Sequence, residues 1–143
     1  MIVLDTNVVS ELMRPAPSAQ LLAWMDAQTP DALWLTSVNA AELLFGLARL
    51  PDGARKRALV TSVTRMLEED FGGRMLNFDL EAAAVFARLA AEGERAGQPL
   101  SFAEGQIAAI CLTHDAALAT RNQRHFSGMG LRLINPWQDA ATP

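Results

Sequence analysis

Short apolar segments alternate with longer helical segments along this chain, and that alternation most constrains its fold. The first segment, Ile2-Val3-Leu4, is apolar throughout, so both faces of the strand that it predicts are apolar. Strands of this kind are buried on both faces, as in parallel sheets. The pattern therefore predicts an α/β fold, with a mostly parallel sheet and helices on both faces. Asp5 follows the first strand directly, where an α/β sheet places its ligands.

Periodicity, capping residues and Gly or Pro stops give approximate bounds for each element. The predicted strands span residues 2–4, 33–36, 75–78, 117–120 and 131–134. The predicted helices span residues 7–13, 40–50, 53–70, 80–96 and 101–114, with a further one starting at 18. Asp79 is expected to cap the helix that Gly97 ends. A length of 143 residues without an internal linker predicts one domain, 1–143.

The composition limits where in the cell the protein is expected and which partners it can bind. No apolar run reaches the roughly 20 residues that span a bilayer, and no basic segment precedes the apolar N-terminus. The lone Cys111 excludes an intrachain disulfide, so we expect a cytoplasmic protein. A net charge of −4 argues against nucleic-acid binding by broad attraction. However, 11 of the 12 basic residues are arginines, which suit phosphate contacts.

Two glutamates stand at predicted helix starts, and two interpretations of them remain open. Asn39-x-x-Glu42 and Ser101-x-x-Glu104 both have the form of a capping box, in which the glutamate bonds back to the first residue of its helix. Alternatively, both glutamates join Asp5 at the carboxyl edge of the sheet. Carboxylates packed together repel one another unless a cation lies between them, so this cluster would favour a hard divalent metal.

The chain resembles the PIN-domain ribonucleases, specifically the VapC-like toxins of bacterial toxin–antitoxin pairs and their FitB-like branch. Five blocks in family order carry the resemblance and together span nearly the whole chain. They are IVLDTNVVSEL at 2–12, TSVNAAELLFGL at 36–47, PLSFAEGQIAAI at 99–110, LATRNQRHF at 118–126 and GLRLINPW at 130–137. The resemblance implies a PIN-like three-layer sandwich.

The resemblance also implies site residues and partners. Asp5, Glu42 and Glu104 match the family's metal-binding acids, and Asn122 matches a fourth catalytic position. The metal would be Mg²⁺, with Mn²⁺ as the alternative. The substrate would be a structured RNA such as tRNA, and the partners a cognate antitoxin and a second subunit. Two departures stand out: the family usually has aspartate where Glu104 stands, and Asn122 is neutral where many members carry an acid.

Those departures motivate an alternative from another class, a catalytically impaired PIN scaffold that binds an antitoxin or RNA. A phosphatase of the haloacid dehalogenase type is a third hypothesis. That chemistry needs a second aspartate two residues after Asp5, where this chain has Asn7. Metal binding by Asp5, Glu42 and Glu104 would distinguish the metal-dependent ribonuclease from the impaired scaffold.

Four further residues flank the predicted site. Arg121 and Arg124 are candidates for bidentate phosphate contacts. His125 is either a loop histidine or a general base near the site. Glu11 is either a supporting residue beside the cleft or a surface charge.

Overall fold

The computed structural model describes residues 1–138, which form five strands and six α-helices in alternation. The strands are β1 (Ile2–Leu4), β2 (Leu33–Thr36), β3 (Met75–Leu76), β4 (Ala117–Ala119) and β5 (Leu133–Ile134). The helices are α1 (Thr6–Leu12), α2 (Ala19–Asp26), α3 (Ser37–Ala48), α4 (Ala54–Arg65), α5 (Leu80–Arg95) and α6 (Phe102–Thr113). The last residues of the predicted domain, 139–143, lie outside the described residues.

The five strands form one sheet in the order β3-β2-β1-β4-β5, and every pairing among them is parallel. The chain first builds outward from β1 through β2 to β3, then crosses back to add β4 and β5 on the other side of β1. The strand order therefore reverses between β1 and β4. Ligands of open α/β sheets bind outside the carboxyl ends of the strands at such a point.

Each face of the sheet carries its own apolar core. Val3 and Leu118 point into a core with α5 and α6, while Leu4 and Ala119 point into a core with α1 to α4. Neighbouring strand residues alternate between the two cores because successive side chains leave opposite faces of a strand. The predicted α/β class, the parallel sheet and the helices on both faces are thus confirmed, and the molecule has three layers.

The predicted capping box between Asn39 and Glu42 is wrong. Helix α3 begins at Ser37 and is capped by Thr36, so Asn39 lies in its first turn and Glu42 in its second. The Thr36 hydroxyl accepts from the Asn39 amide N–H at 3.0 Å, and Asn39 Oδ1 accepts from the Thr36 amide N–H at 3.0 Å. A capping box does form, but it runs from Thr36 to Asn39, three residues earlier in the sequence. Glu42 is therefore free of any capping role.

The helix predicted over 53–70 changes its hydrogen bonding near its end. Its α-helical part stops at Arg65, and Met66–Asp70 continues as one π-helical turn. Gly72 follows because a side chain there would place its Cβ 2.4 Å from the Glu68 carbonyl oxygen. Among the described residues, no helix is long and apolar enough to cross a membrane.

Candidate metal and nucleic-acid site

Asp5 lies at the carboxyl end of β1, at the point where the strand order reverses. Its backbone N–H donates to Ala119 O of β4 at 2.9 Å, which fixes the residue between the two strands. One carboxylate oxygen accepts from the Thr6 amide at 2.8 Å, and the other accepts from the Thr120 hydroxyl at 2.7 Å. Asp5 caps α1, yet only 7% of it is exposed, so a carboxylate is held almost out of water.

Thr120 and Asn7 join the ends of β1 and β4. The Thr120 hydroxyl is fully buried and accepts from Asn7 Nδ2 at 3.3 Å and from the Asn122 amide at 3.1 Å. Asn7 Oδ1 in turn accepts from the Arg121 amide at 3.3 Å. These bonds fix the turn that follows β4 and bring Asn122 to the edge of the Asp5 cavity. The positioning role of Asn7 has no local sequence signature.

Glu42 is tied to the same edge through Thr6 and Asn39. Asn39 is fully buried and donates from Nδ2 to the Thr6 hydroxyl at 3.0 Å. That hydroxyl donates to Glu42 Oε1 at 2.7 Å. The residue that caps α3 thus also positions Thr6, and Thr6 positions Glu42. Nothing local in the sequence indicated that Asn39 positions Thr6.

Glu104 lies in the first turn of α6, and its amide and its carboxylate have different partners. Ser101 caps α6 by accepting from the Glu104 amide at 3.2 Å, as predicted for the helix start. The Glu104 carboxylate, however, accepts from the Ser101 hydroxyl at 2.8 Å and meets His125 Nδ1 at 2.5 Å. The predicted Ser101 cap is therefore confirmed, but the carboxylate bonds to the Ser101 hydroxyl and not to the Ser101 amide as a capping box requires. His125 is a direct neighbour of Glu104.

The three predicted acids line one cavity of about 680 Å³, together with Asn122 and residues of α1. Burial raises the pKa of Asp5 above its usual 3.8, and the charges of Glu42 and Glu104 act in the same direction. The hydrogen bonds from Thr120 and Thr6 oppose that rise in pKa. The site therefore places two further negative charges near a buried carboxylate, which is unfavourable unless a cation or a proton compensates them.

These residues suit a hard divalent cation by their chemistry, because all three are carboxylates facing one cavity. Asp5 and Glu42 can keep their hydrogen bonds from Thr120 and Thr6 while a cation binds, because each carboxylate has about four lone-pair sites. Within residues 1–138, no three His, Cys, Asp or Glu side chains already stand in a metal-binding arrangement. Glu42 is exposed and Glu104 is half-buried, so both side chains have room to turn towards Asp5.

The structure shows that the other residues near the site have different surroundings. Arg121 lies over the Trp137 ring, with its guanidinium carbon 4.7 Å from the ring centre, and it is not among the residues that line the acidic cavity. Glu11 accepts from the Ser18 amide at 3.0 Å and pairs with Arg14 at 3.3 Å. It lines the cavity edge, but its carboxylate supports the connection between α1 and α2. Cys111 is fully buried in the core.

The sequence matches known proteins over most of its length. The family model for the PIN domain matches residues 2–130. The chain is 41% identical to the "VapC ribonuclease Y4jK" of Sinorhizobium fredii, with 98% of this chain and 100% of that protein aligned. It is 35% identical to the "Toxin FitB" of Neisseria gonorrhoeae, with 97% and 100% aligned.

A solved structure extends the similarity to three dimensions. The crystal structure of FitAcB from Neisseria gonorrhoeae contains a chain that superposes with a TM-score of 0.90 at 35% identity. The alignment covers 96% of this chain and 99% of that one. The whole arrangement of strands and helices, including the edge that carries Asp5, is therefore shared with that structure.

Proposed function

This chain belongs to the PIN domain family, and from that membership we propose that it is the toxin of a toxin–antitoxin pair. As its activity we propose metal-dependent endoribonucleolytic cleavage of structured RNA such as tRNA, in the cytoplasm. One observation supports this most strongly: Asp5, Glu42 and Glu104 face one cavity at the reversal point of the sheet. The ribonuclease and toxin names of two relatives that match nearly end to end support the same proposal.

In this proposal Asp5, Glu42 and Glu104 hold Mg²⁺, or Mn²⁺ in its place. Such an ion supplies a more acidic water at neutral pH and neutralises charge that develops on the phosphate. The chain's own residues do the positioning. Thr120 and Thr6 hold the Asp5 and Glu42 carboxylates, while the Asn122 amide borders the same cavity and can orient a water by hydrogen bonding.

A cleavage assay with a metal control tests the proposed activity. We expect the purified protein to cut bulk bacterial tRNA in Mg²⁺, to stop on addition of EDTA, and to resume when Mg²⁺ is restored in excess. Calorimetric titration with Mn²⁺ measures metal binding separately from cleavage. Persistent cleavage in EDTA would contradict the metal-dependent proposal, and an inactive protein that still binds RNA would support the impaired scaffold instead.

The impaired scaffold stays as the second candidate because of one contact. Glu104 is engaged by Ser101 and by His125, and both bonds would compete with a cation for its oxygens. If that engagement were permanent, only Asp5 and Glu42 would remain as carboxylate ligands. Mn²⁺ affinity then decides between the candidates, since an active site must release Glu104 to the metal.

We propose a cognate antitoxin and a second subunit as protein partners. On α3, Leu43 and Leu47 are buried in the core, whereas Leu44 and Phe45 are 43% and 62% exposed. Exposed apolar side chains that adjoin one another are typical of surfaces that a partner covers. The apolar surface of α3 thus divides into a part in the core and a part available to a partner.

We expect Thr6→Val to lower RNA cleavage about 10- to 100-fold, the usual effect of removing a group that orients a metal ligand. The variant also leaves the buried Asn39 Nδ2 without its acceptor, which costs about 1–3 kcal/mol of unfolding free energy. Thr6→Ser keeps the hydroxyl and should restore both properties. Initial cleavage rates and denaturant unfolding measure the two effects.

The matched control is Thr61→Val on the exposed side of α4, where the hydroxyl bonds only to Arg57 O. It removes the same atom type far from the acids and should leave cleavage unchanged. Wild-type cleavage by Thr6→Val would mean that Glu42 needs no support from Thr6.

A further inference from the structure

A second cavity of about 760 Å³ lies beside the acidic one and shares two of its lining residues, Ser101 and Glu104. Its other walls come from the end of α5, the loop before α6 and the turn after β4. Pockets that hold small ligands typically measure about 300–1,000 Å³, so this volume suits a nucleotide-sized group. Ser101 and Glu104 thus lie between the two cavities.

The charges around this second cavity differ from those around the first. Arg124 and His125 both line it, and His125 is the residue that contacts Glu104. The acid on its far side, Glu92, pairs with Arg88 at 3.6 Å. Within residues 1–138, no acidic side chain pairs with the Arg124 guanidinium. The cavity therefore presents an exposed, uncompensated guanidinium next to an acidic centre.

Arg121 and Arg124 were equal candidates from the sequence, and the structure distinguishes them. Arg121 lies over Trp137, whereas Arg124 belongs to the short 3₁₀ turn Gln123–Phe126 and faces the second cavity. The buried side chain of Phe126 anchors that turn in the core. The guanidinium of Arg124 is thus carried on a segment whose backbone is held in place.

We propose that the second cavity binds the RNA nucleotide adjacent to the scissile phosphodiester, with Arg124 on its phosphate. This rests on the proposed function. A guanidinium binds phosphate oxygens bidentately, and single-stranded RNA is recognised through phosphate contacts together with contacts to splayed bases. Leu100 and Met129 supply apolar surface for the base at the same cavity. Glu104 then lies between the cut bond and the bound nucleotide.

Binding to end-labelled bulk bacterial tRNA in EDTA tests this inference without cleavage. Arg124→Gln should weaken tRNA binding about tenfold, because it replaces a charge-assisted contact by a neutral one. The slope of log affinity against log salt should also become shallower by about 0.7–0.9, the effect of one lost phosphate contact. Arg124→Lys keeps the charge, so it should retain the slope but recover only part of the affinity.

Arg55→Gln is the matched control, because Arg55 is exposed on α4 and lines neither cavity. It should leave affinity and slope unchanged. If the wild-type protein cleaves tRNA but Arg124→Gln leaves the salt slope unchanged, the inference is overturned and the proposed function stays intact. A wild-type protein that neither binds nor cuts tRNA would overturn both.

Discussion

Asp5→Asn should reduce RNA cleavage in Mg²⁺ by at least about a hundredfold, more than is usual for a residue that merely supports a ligand. The substitution keeps the shape of the side chain and leaves an oxygen to accept from the Thr6 amide or the Thr120 hydroxyl. It removes the charge that the proposed metal needs, together with one of the two acceptor oxygens. Cleavage rates and Mn²⁺ titration should therefore fall together while the fold persists.

The metal-free Asp5→Asn protein should be more stable than the wild type at neutral pH. Burial raises the pKa of Asp5 above 3.8, so the folded protein holds that proton more tightly than the unfolded chain does. The stability contributed by the protonated carboxyl is complete below pH 3.8 and is lost as the pH rises through the folded-state pKa. The asparagine variant has no such loss.

Denaturant unfolding in EDTA at a series of pH values measures this difference. We expect the stability advantage of Asp5→Asn to grow as the pH rises from 3.8 towards neutrality and then to level off. Asp26→Asn is the matched control, since Asp26 is an exposed aspartate at the end of α2. Wild-type cleavage by Asp5→Asn in Mg²⁺ would refute the site itself.

The sheet and its first acid could be predicted from the sequence because their signals are local. An apolar strand followed at once by Asp5 indicates a parallel sheet with a polar group at its carboxyl edge. The bounds of β1 and β2 agree with the structure for the same reason. Strands β3 and β5 are shorter than predicted, because pairing with a neighbour, rather than composition, decides where a strand ends.

The prediction at α3 failed because several capping residues follow one another there. Thr36, Ser37 and Asn39 all favour a helix start, and the sequence does not say which one the end of β2 delivers to that position. The choice matters, because it turns Asn39 from a cap into a buried donor to Thr6. The role of Asn7 depends on β4, more than a hundred residues away, so no local pattern could reveal it.

Glu104→Gln should fold normally and lose most RNA cleavage, because it keeps the length of the side chain and removes its charge. Glutamine still has an oxygen to accept from the Ser101 hydroxyl. The cap of α6 depends on the Ser101 side chain and the Glu104 backbone amide, neither of which the substitution touches. Any change in unfolding free energy should therefore be well below the 0.5–2 kcal/mol typical of a lost cap.

Ser101→Ala is the comparison variant, because it removes the side chain that caps α6. It removes the oxygen that accepts from the Glu104 amide and should cost about 0.5–2 kcal/mol. It also frees the Glu104 carboxylate from one of its two partners. If the contact with Ser101 competes with metal, Mn²⁺ affinity should rise in this variant even as stability falls.

Glu104→Asp is the opposite change at the same position, because it shortens the side chain and keeps its charge. The shorter side chain reaches His125 and the Ser101 hydroxyl less well, so it gives up the two contacts that hold Glu104 within the protein. It keeps the charge and restores the residue usual in the family, and a short carboxylate suits the tight oxygen shell of Mg²⁺. Cleavage in Mg²⁺ should hold or rise in Glu104→Asp while it collapses in Glu104→Gln. Full activity in the glutamine variant would instead assign Glu104 to the start of α6 and leave the metal to Asp5 and Glu42.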